Sequence, residues 1–307
     1  MTPTDLVTGA FSYSGGHIAQ RLLDAGRQVR TLTSHPDRQH LLQGHVQALA
    51  YRFDDPVALA RSLEGVSTLY NTYWVRFDRG QTTFANAVEH SRMLFFAARR
   101  AGVERIVHVS ITNPSIDSPL PYFRGKALVE YALAQTGTPY TIVRPTWLFG
   151  GRRDVLVNNI AWILRRLPVF ALPGDGAYPV QPVHVDDLAR ICVEAAAVDN
   201  DLVIDAAGPE QMPFARLIAL IQAAVHNHGP VIGLPPVLMA AAARAVGLLV
   251  GDVVLTPDEI TGLIGGLLVS HEPPRGQIAF SHWLDQQAIS IGNSYANELH
   301  RHFATRP

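Results

Sequence analysis

A tyrosine and a lysine four residues apart carry the most specific chemical signal in the sequence. Tyr122 and Lys126 lie at the start of a predicted helix over 121–135, and their i, i+4 spacing places both side chains on one helix face. Of the 25 lysines and arginines, Lys126 is the single lysine, and random placement would put it four residues after a tyrosine about 3% of the time. A slim ammonium can bond a ribose hydroxyl and lower the pKa of a nearby phenol, whereas a planar guanidinium would not fit in the same way. The pair therefore predicts acid–base chemistry, with a surface tyrosine and lysine on an amphipathic helix as the alternative.

A glycine-rich turn near the N-terminus predicts a phosphate site. The first predicted strand, 5–8, runs into Thr8-Gly9-Ala10-Phe11-Ser12-Tyr13-Ser14-Gly15, and a predicted helix over 16–24 follows. Such a turn directs backbone N–H groups and a helix N-terminus at a pyrophosphate. Ser12 replaces the middle glycine of the dinucleotide fingerprint, so its Cβ could hinder close approach or its hydroxyl could bond phosphate. We expect the dinucleotide to contact Gly9, Phe11, Ser12, Tyr13 and Gly15; the alternative is an ordinary glycine turn.

The end of the second predicted strand, 28–33, bears on the choice between NADP(H) and NAD(H). An acidic residue there would bond the ribose 2′-hydroxyl and favour NAD(H). The sequence instead places Ser34, His35 and Arg38 after this strand, and these side chains suit a 2′-phosphate better. We therefore expect a preference for NADP(H), with NAD(H) as the second cofactor; the alternative is a solvated Arg38.

Polar residues also close the next two strands. Asp54 follows the predicted strand over 46–53, and Asn71 and Thr72 follow the one over 66–70. In such folds these positions contact adenine and ribose, but each residue is equally consistent with a cap or a turn.

The order of predicted elements defines the fold class. Strands over 5–8, 28–33, 46–53, 66–70, 105–110 and 140–144 alternate with helices over 16–24, 56–63, 82–100 and 121–135. Ala25-Gly26 and Ala101-Gly102 are helix stop signals that lead directly into strands. Strict alternation implies βαβ units with right-handed crossovers. The prediction is an α/β protein with a doubly wound parallel sheet of the Rossmann type.

A second, smaller part follows Gly150-Gly151, where the alternation loosens. A strand over 178–183, a helix over 186–197 with Asp186 as N-cap, and a strand over 202–205 return the chain to the first domain. From Gly208 onward the sequence is Ala/Leu-rich and interrupted by prolines. We predict an NAD(P)-binding domain over 1–150 and 180–207, and a smaller, mostly α substrate or partner domain over 151–179 and 208–307.

Two histidine-containing groups are weaker signals. His226-x-His228 precedes Gly229-Pro230, where exposed histidines are favoured over a metal site. His184 with Asp186 and Asp187 could form a relay, but a helix cap explains the aspartates better. We expect no metal.

Composition excludes several classes of protein. With 48% hydrophobic and 17% charged residues, the chain can bury a sizeable core. A net charge of −1 gives no electrostatic footprint for nucleic acid. The single cysteine, Cys192, excludes an intramolecular disulfide and a cysteine-based zinc site, and we expect a buried thiol in a cytoplasmic protein. The apolar stretch 237–250 is too short to span a bilayer, and a core-facing, a substrate-facing or a peripheral membrane role stays open for that segment.

Taken together, these motifs resemble the short-chain dehydrogenase/reductase superfamily. The resemblance rests on the glycine turn, Tyr122-x-x-x-Lys126, Val143-Arg144-Pro145-Thr146 and Gln181-Pro182-Val183-His184-Val185-Asp186-Asp187. Within the superfamily the chain is similar to the atypical or extended branch, namely NmrA-like proteins and relatives of the NADPH-binding accessory subunit of respiratory complex I.

The resemblance implies roles for several residues. Tyr122 would be the general acid, Lys126 would hold the nicotinamide ribose, and Pro145 would lie at the cofactor. The hydroxyl that the family places after the fifth strand would be Thr112, with Ser110 as second choice. The ten-residue spacing from Thr112 to Tyr122 disfavours sugar-nucleotide epimerisation.

Two functions follow from the resemblance. One is hydride transfer to or from a small or apolar carbonyl or enone. The other is a non-catalytic NADP(H)-binding redox sensor or assembly protein, because the complex I subunit keeps a Tyr-x-x-x-Lys while serving as a structural subunit.

Overall fold

A computed structural model describes residues 3–151, 154–287 and 290–303. The first part of the chain contains β1 (Thr4–Thr8), α1 (Tyr13–Asp24), β2 (Gln28–Thr33), β3 (Val46–Ala50), α2 (Pro56–Ser62), β4 (Val66–Asn71), α3 (Phe84–Arg100), β5 (Arg105–Val109), α4 (Pro121–Ala134) and β6 (Tyr140–Pro145). There follow β7 (Trp147–Phe149), α5 (Leu156–Arg166), β8 (Phe170–Pro173), β9 (Pro179–Val180), β10 (Pro182–His184), α6 (Val185–Ala195) and β11 (Leu202–Ala206). The remaining elements are β12 (Met212–Pro213), α7 (Phe214–Ala224), β13 (Val231–Leu234), α8 (Pro236–Val250), α9 (Pro257–Ile264), α10 (Phe280–Gln287) and α11 (Glu298–Phe303).

The chain divides into two compact units. The first comprises Met1–Pro145 and Val185–Ala206, and the second Thr146–His184 and Ala207–Pro307. The first unit ends at Pro145, five residues before the expected boundary, because β7 pairs with β10 instead of joining the central sheet.

A seven-stranded parallel sheet forms the first unit, in the order β11-β6-β5-β4-β1-β2-β3. Helix α1 packs on α6, while α3 packs on both α2 and α4. The predicted doubly wound fold is confirmed. Strand order reverses between β1 and β4, and this reversal opens a crevice at the carboxyl ends of the two strands.

Local sequence explains the helix boundaries that frame this crevice. Asp55 accepts hydrogen bonds from Val57 N and Ala58 N at the start of α2, and Thr83 caps α3 through Asn86 N. Gly26 and Gly102 take φ values of +73° and +75° just after α1 and α3, as their stop signals predict.

The expected start of α6 is wrong by one position. The helix begins at Val185, directly after β10, so Asp186 lies inside its first turn and is not the N-cap. An acidic side chain there still favours the helix through its dipole.

The second unit has its own core, built around Phe149, Phe214, Leu217 and Phe280. Helix α8 in this unit exposes Val237, Leu238, Leu248 and Leu249. Within the residues that the structure describes, every helix is too short or too polar to cross a bilayer.

Candidate nucleotide-binding and active site

The turn between β1 and α1 is closed by its glycines. Gly9 has a φ of +66°, a conformation that L side chains rarely adopt. A Cβ at Gly15 would lie 2.4 Å from Gly9 O, so these two residues touch through backbone atoms alone. The close approach brings the N-terminus of α1 against the end of β1.

Ser12 completes the turn with its own hydroxyl. Both Ser12 N and Ser12 Oγ donate to Gly9 O, at 2.7 and 2.6 Å. The single hydroxyl proton is therefore used inside the turn, and the side chain does not cap α1. Backbone N–H groups in the first turn of a helix have no intrahelical acceptor, so this geometry suits a bound anion.

A hydrogen-bonded network ties the ends of β1, β4 and β5 together behind the turn. Thr8 Oγ1 donates to Asn71 Oδ1 at 3.1 Å and accepts from Thr72 N at 2.7 Å, while Thr72 Oγ1 donates to Thr8 O at 2.6 Å. Asn71 Oδ1 also accepts from Tyr73 N, which fixes the amide orientation. Asn71 is fully buried, so its side chain serves this network.

His108 extends the network on β5. Asn71 Nδ2 lies 3.1 Å from His108 Nδ1, and because an amide nitrogen can only donate, Nδ1 accepts and the ring proton sits on Nε2. Burial lowers the pKa of His108 well below its usual value, and the charge of nearby Lys126 lowers it further. His108 is thus a neutral structural residue.

The segment after β2 forms an open turn. His35 N donates to Thr33 Oγ1 and Arg38 N to His35 O, at 3.2 and 3.1 Å. Ser34 and His35 are exposed and Arg38 is half-buried. Asp54, by contrast, is 78% exposed and ion-pairs with Arg52 at 3.5 Å, so nothing in its contacts directs it to the crevice.

An aromatic cavity of about 260 Å³ lies beside Ser34, and sequence reasoning missed it. Its aromatic lining is Tyr51, Phe53, Tyr73 and His90. Phe53 and His90 stack at 4.0 Å between ring centroids, and Tyr73 Oη lies 2.9 Å from His90 Nδ1. Burial raises the pKa of Tyr73 to about 12 and lowers that of His90, so the lining is neutral at physiological pH.

Lys126 is buried within the first unit. Its side chain is 3% exposed, and Nζ donates to Val109 O at 2.9 Å, which joins α4 to the end of β5. Burial lowers the pKa of Lys126 to about 7, although Glu130 on the same helix opposes the shift. Tyr122, one turn earlier on α4, is half-buried.

Trp74, which the sequence analysis did not single out, contacts both members of this pair. Its ring lies 4.7 Å from Lys126 Nζ and meets the Tyr122 ring edge-on at 5.8 Å. Phe84 also meets Tyr122 edge-on, at 5.9 Å, and lies nearly parallel to Trp74. The sequence feature that could have indicated this close contact is Gly125, a glycine inside a helix between the tyrosine and the lysine.

The candidate hydroxyls follow β5 toward β6. Ser110 N donates to Val143 O and Thr112 N to Pro145 O, at 2.8 and 3.0 Å, so both residues continue along the neighbouring strand. Both are buried. Ser110 Oγ has no hydrogen-bond partner within the described residues.

The remaining candidates lie apart from this chemistry. Cys192 is a buried free thiol, and burial raises its pKa. His226 and His228 are exposed, and across the described ranges no cluster of His, Cys, Asp and Glu could hold a metal. Asp187 bonds Arg190 at 3.2 Å, and Asp186 lies 2.5 Å from His17.

The sequence over residues 9–158 matches the family described as NAD(P)H-binding. The matched residues include the glycine turn, the aromatic cavity and the Tyr122–Lys126 pair. The predicted class of cofactor is thereby confirmed.

Two curated relatives are similar to this chain over longer stretches than the family match. The mitochondrial NADH dehydrogenase (ubiquinone) 1 alpha subcomplex subunit 9 of Arabidopsis thaliana is 24% identical over 249 residues, which is 77% of this chain and 62% of that protein. The (4-alkanoyl-5-oxo-2,5-dihydrofuran-3-yl)methyl phosphate reductase of Streptomyces griseus is 31% identical over 196 residues, 62% of each chain. The chain thus spans less than two thirds of the length of either relative.

A solved structure shows the same fold over nearly the whole chain. The Citrobacter sp. triphenylmethane reductase complexed with NADP(H) superposes with a TM-score of 0.75 at 17% identity, covering 93% of this chain and 99% of that one.

Proposed function

We propose that this protein is an NADP(H)-dependent oxidoreductase that transfers hydride to or from a small or apolar carbonyl or enone, with Tyr122 as its acid or base. One observation carries the proposal: the single lysine of the chain is buried one helical turn from Tyr122, within residues that match the NAD(P)H-binding family. Burying an ammonium is costly, and a buried lysine with a strongly shifted pKa is a candidate functional residue.

The residues present fit the cofactor. The Gly9–Gly15 turn would take the pyrophosphate, since the backbone contact between these two glycines holds the N-terminus of α1 against the end of β1. The aromatic cavity, which Ser34 also lines, would take the adenine ring, and Ser34, His35 and Arg38 after β2 would take the 2′-phosphate. Ser34, His35 and Arg38 therefore support a preference for NADP(H) over NAD(H).

The chain's own residues supply the proton. NADPH, when bound, supplies the hydride. Tyr122 would donate its phenolic proton to the substrate oxygen, so that the carbonyl gains one hydride and one proton, and solvent would reprotonate the phenolate. A charged Lys126 would stabilise that phenolate, and Thr112, or Ser110 as second choice, would donate a hydrogen bond to the same oxygen.

A panel of ketones, aldehydes, enones and quinones tests the proposal directly. NADPH oxidation by the purified protein should require a member of this panel. Absence of turnover with every member would refute the proposed oxidoreductase activity.

A second function draws support from one relative. The Arabidopsis protein is named as a subunit of an NADH dehydrogenase. For this chain, the corresponding proposal is a structural or sensing role in which the site binds cofactor without turnover. That alternative predicts tight NADP(H) binding with no reduction of any panel member.

A further inference from the structure

Trp74 lies directly against the ammonium of Lys126. The residue follows β4, and its ring sits 4.7 Å from Lys126 Nζ, while Nζ donates to Val109 O at 2.9 Å. An aromatic face attracts a cation most strongly where water is excluded, and Lys126 is 3% exposed. The indole and one backbone carbonyl therefore both contact this charge.

The helix is adapted to receive the indole. A Cβ at Gly125 would lie 2.8 Å from Trp74 Cη2 and 3.2 Å from Cζ2, which a well-packed ring cannot accommodate without shifting. Glycine disfavours a helix interior, so its presence between Tyr122 and Lys126 is explained by the close approach of Trp74.

The same ring also orders the tyrosine. Trp74 meets Tyr122 at an interplanar angle of 84°, and Phe84 stacks on Trp74 at 23° with centroids 5.9 Å apart. Phe84 thus packs against the indole, and the indole contacts both members of the pair.

We propose that Trp74 is a positioning residue that fixes the Lys126 ammonium beside Tyr122. The catalytic value of this positioning rests on the proposed function, whereas the test of the positioning itself needs no turnover. Other groups that influence Lys126 are Glu130 on α4 and the neutral His108 on β5. Because an aromatic face favours the charged amine, loss of the indole should lower the pKa of Lys126 below its value of about 7.

The single lysine makes the test unusually direct. Protein grown with ¹³C,¹⁵N-lysine gives one set of lysine side-chain signals in an NMR spectrum, with no assignment problem. In the wild type, the ring current of Trp74 should move the Cε protons upfield of free lysine. Trp74→Leu should abolish that displacement and reduce the proton affinity of Lys126 by about 3- to 10-fold, and Trp74→Phe should restore part of both.

Trp162 provides a matched control, because its ring lies 4.7 Å from Arg166 in the second unit. Trp162→Leu should leave the lysine signals and their titration unchanged. The proposal would be overturned if the wild-type lysine signals show no upfield displacement. It would also be overturned if Lys126 titrates identically in Trp74→Leu and in the wild type. The wild-type spectrum decides even if Trp74→Leu does not fold.

The results expected for the lysine NMR signals do not depend on whether the protein turns over a substrate. If the carbonyl panel fails while the lysine signals respond to Trp74, the proposed reaction is wrong and the positioning role stands. If the enzyme is active, Trp74→Leu should lower kcat by about 10-fold, whereas Trp162→Leu should not.

Discussion

Gly15 and Gly9 touch through their backbones: a Cβ at Gly15 would lie 2.4 Å from the carbonyl oxygen of Gly9. This contact sets the distance between the end of β1 and the start of α1, and hence the shape of the phosphate cradle. Ser12 adds two hydrogen bonds to the same oxygen, so the turn is rigid.

Gly15→Ala should therefore weaken NADP(H) binding by about 10-fold or more, since the turn must open to admit the methyl group. Gly16→Ala is the matched control, because its Cβ would meet Ala10 O at 3.3 Å and needs a shift of only a few tenths of an ångström. Fluorescence titration with NADPH measures both. Equal affinities in the two variants would exclude this turn as the cradle.

Arg38 should determine the preference for NADP(H). Arg38→Gln should weaken NADPH binding by about 10-fold or more and leave NADH binding unchanged, because only NADPH offers a 2′-phosphate for a charge-assisted hydrogen bond. Arg21→Gln removes an exposed arginine from α1 and serves as the control. A parallel loss of affinity for both cofactors would place Arg38 elsewhere than at the 2′-phosphate.

Lys126 should make folding stability depend on pH. Its pKa is about 7 in the folded protein and near 10.5 when unfolded, so between these values the unfolded chain binds more protons and stability rises with pH. At and below pH 7 the cost of the buried charge is fully present. Lys126→Met removes that cost, so the variant should exceed the wild type in Tm most at pH 6 and least at pH 10.

Thermal unfolding across that range measures the Tm difference. Arg124→Met, an exposed change on the same helix, should give a pH-independent difference. A Lys126→Met difference that is equally flat would show that the ammonium is not desolvated.

The two hydroxyls after β5 should differ in their effect on catalysis. Thr112→Val should lower kcat by about 10²-fold if that hydroxyl bonds the developing oxyanion. Ser110→Ala should lower kcat less and leave Tm nearly unchanged, since Ser110 Oγ has no hydrogen bond to lose within the described residues. If Ser110→Ala lowers kcat more than Thr112→Val does, Ser110 is the residue that bonds the developing oxyanion.

The sheet and the glycine turn were predictable because each depends on local sequence. Glycine stop signals and alternating apolar runs identify βαβ units without any knowledge of tertiary contacts. The predicted third strand ran to Phe53, whereas β3 ends at Ala50. Tyr51 and Phe53 look like strand residues but leave the sheet to line the aromatic cavity.

The contacts around Lys126 were not predictable in the same way. Trp74 is 52 residues from Lys126 in sequence, and their meeting depends on the packing of the loop after β4 against α4. Ser12 was a second such case, because its two expected effects on phosphate could not be separated until its hydroxyl was seen to donate to Gly9 O.

The role of Tyr122 as the acid is tested most directly by comparing the turnover of Tyr122→Phe with that of Tyr131→Phe. Both tyrosines lie on α4, but Tyr131 is 64% exposed and faces away from the chemistry proposed for Tyr122. With a carbonyl that the wild type reduces, Tyr122→Phe should lower kcat by about 10²- to 10⁴-fold with NADPH affinity nearly unchanged, and Tyr131→Phe should behave as the wild type. Full activity in Tyr122→Phe would contradict the assignment of Tyr122 as the acid.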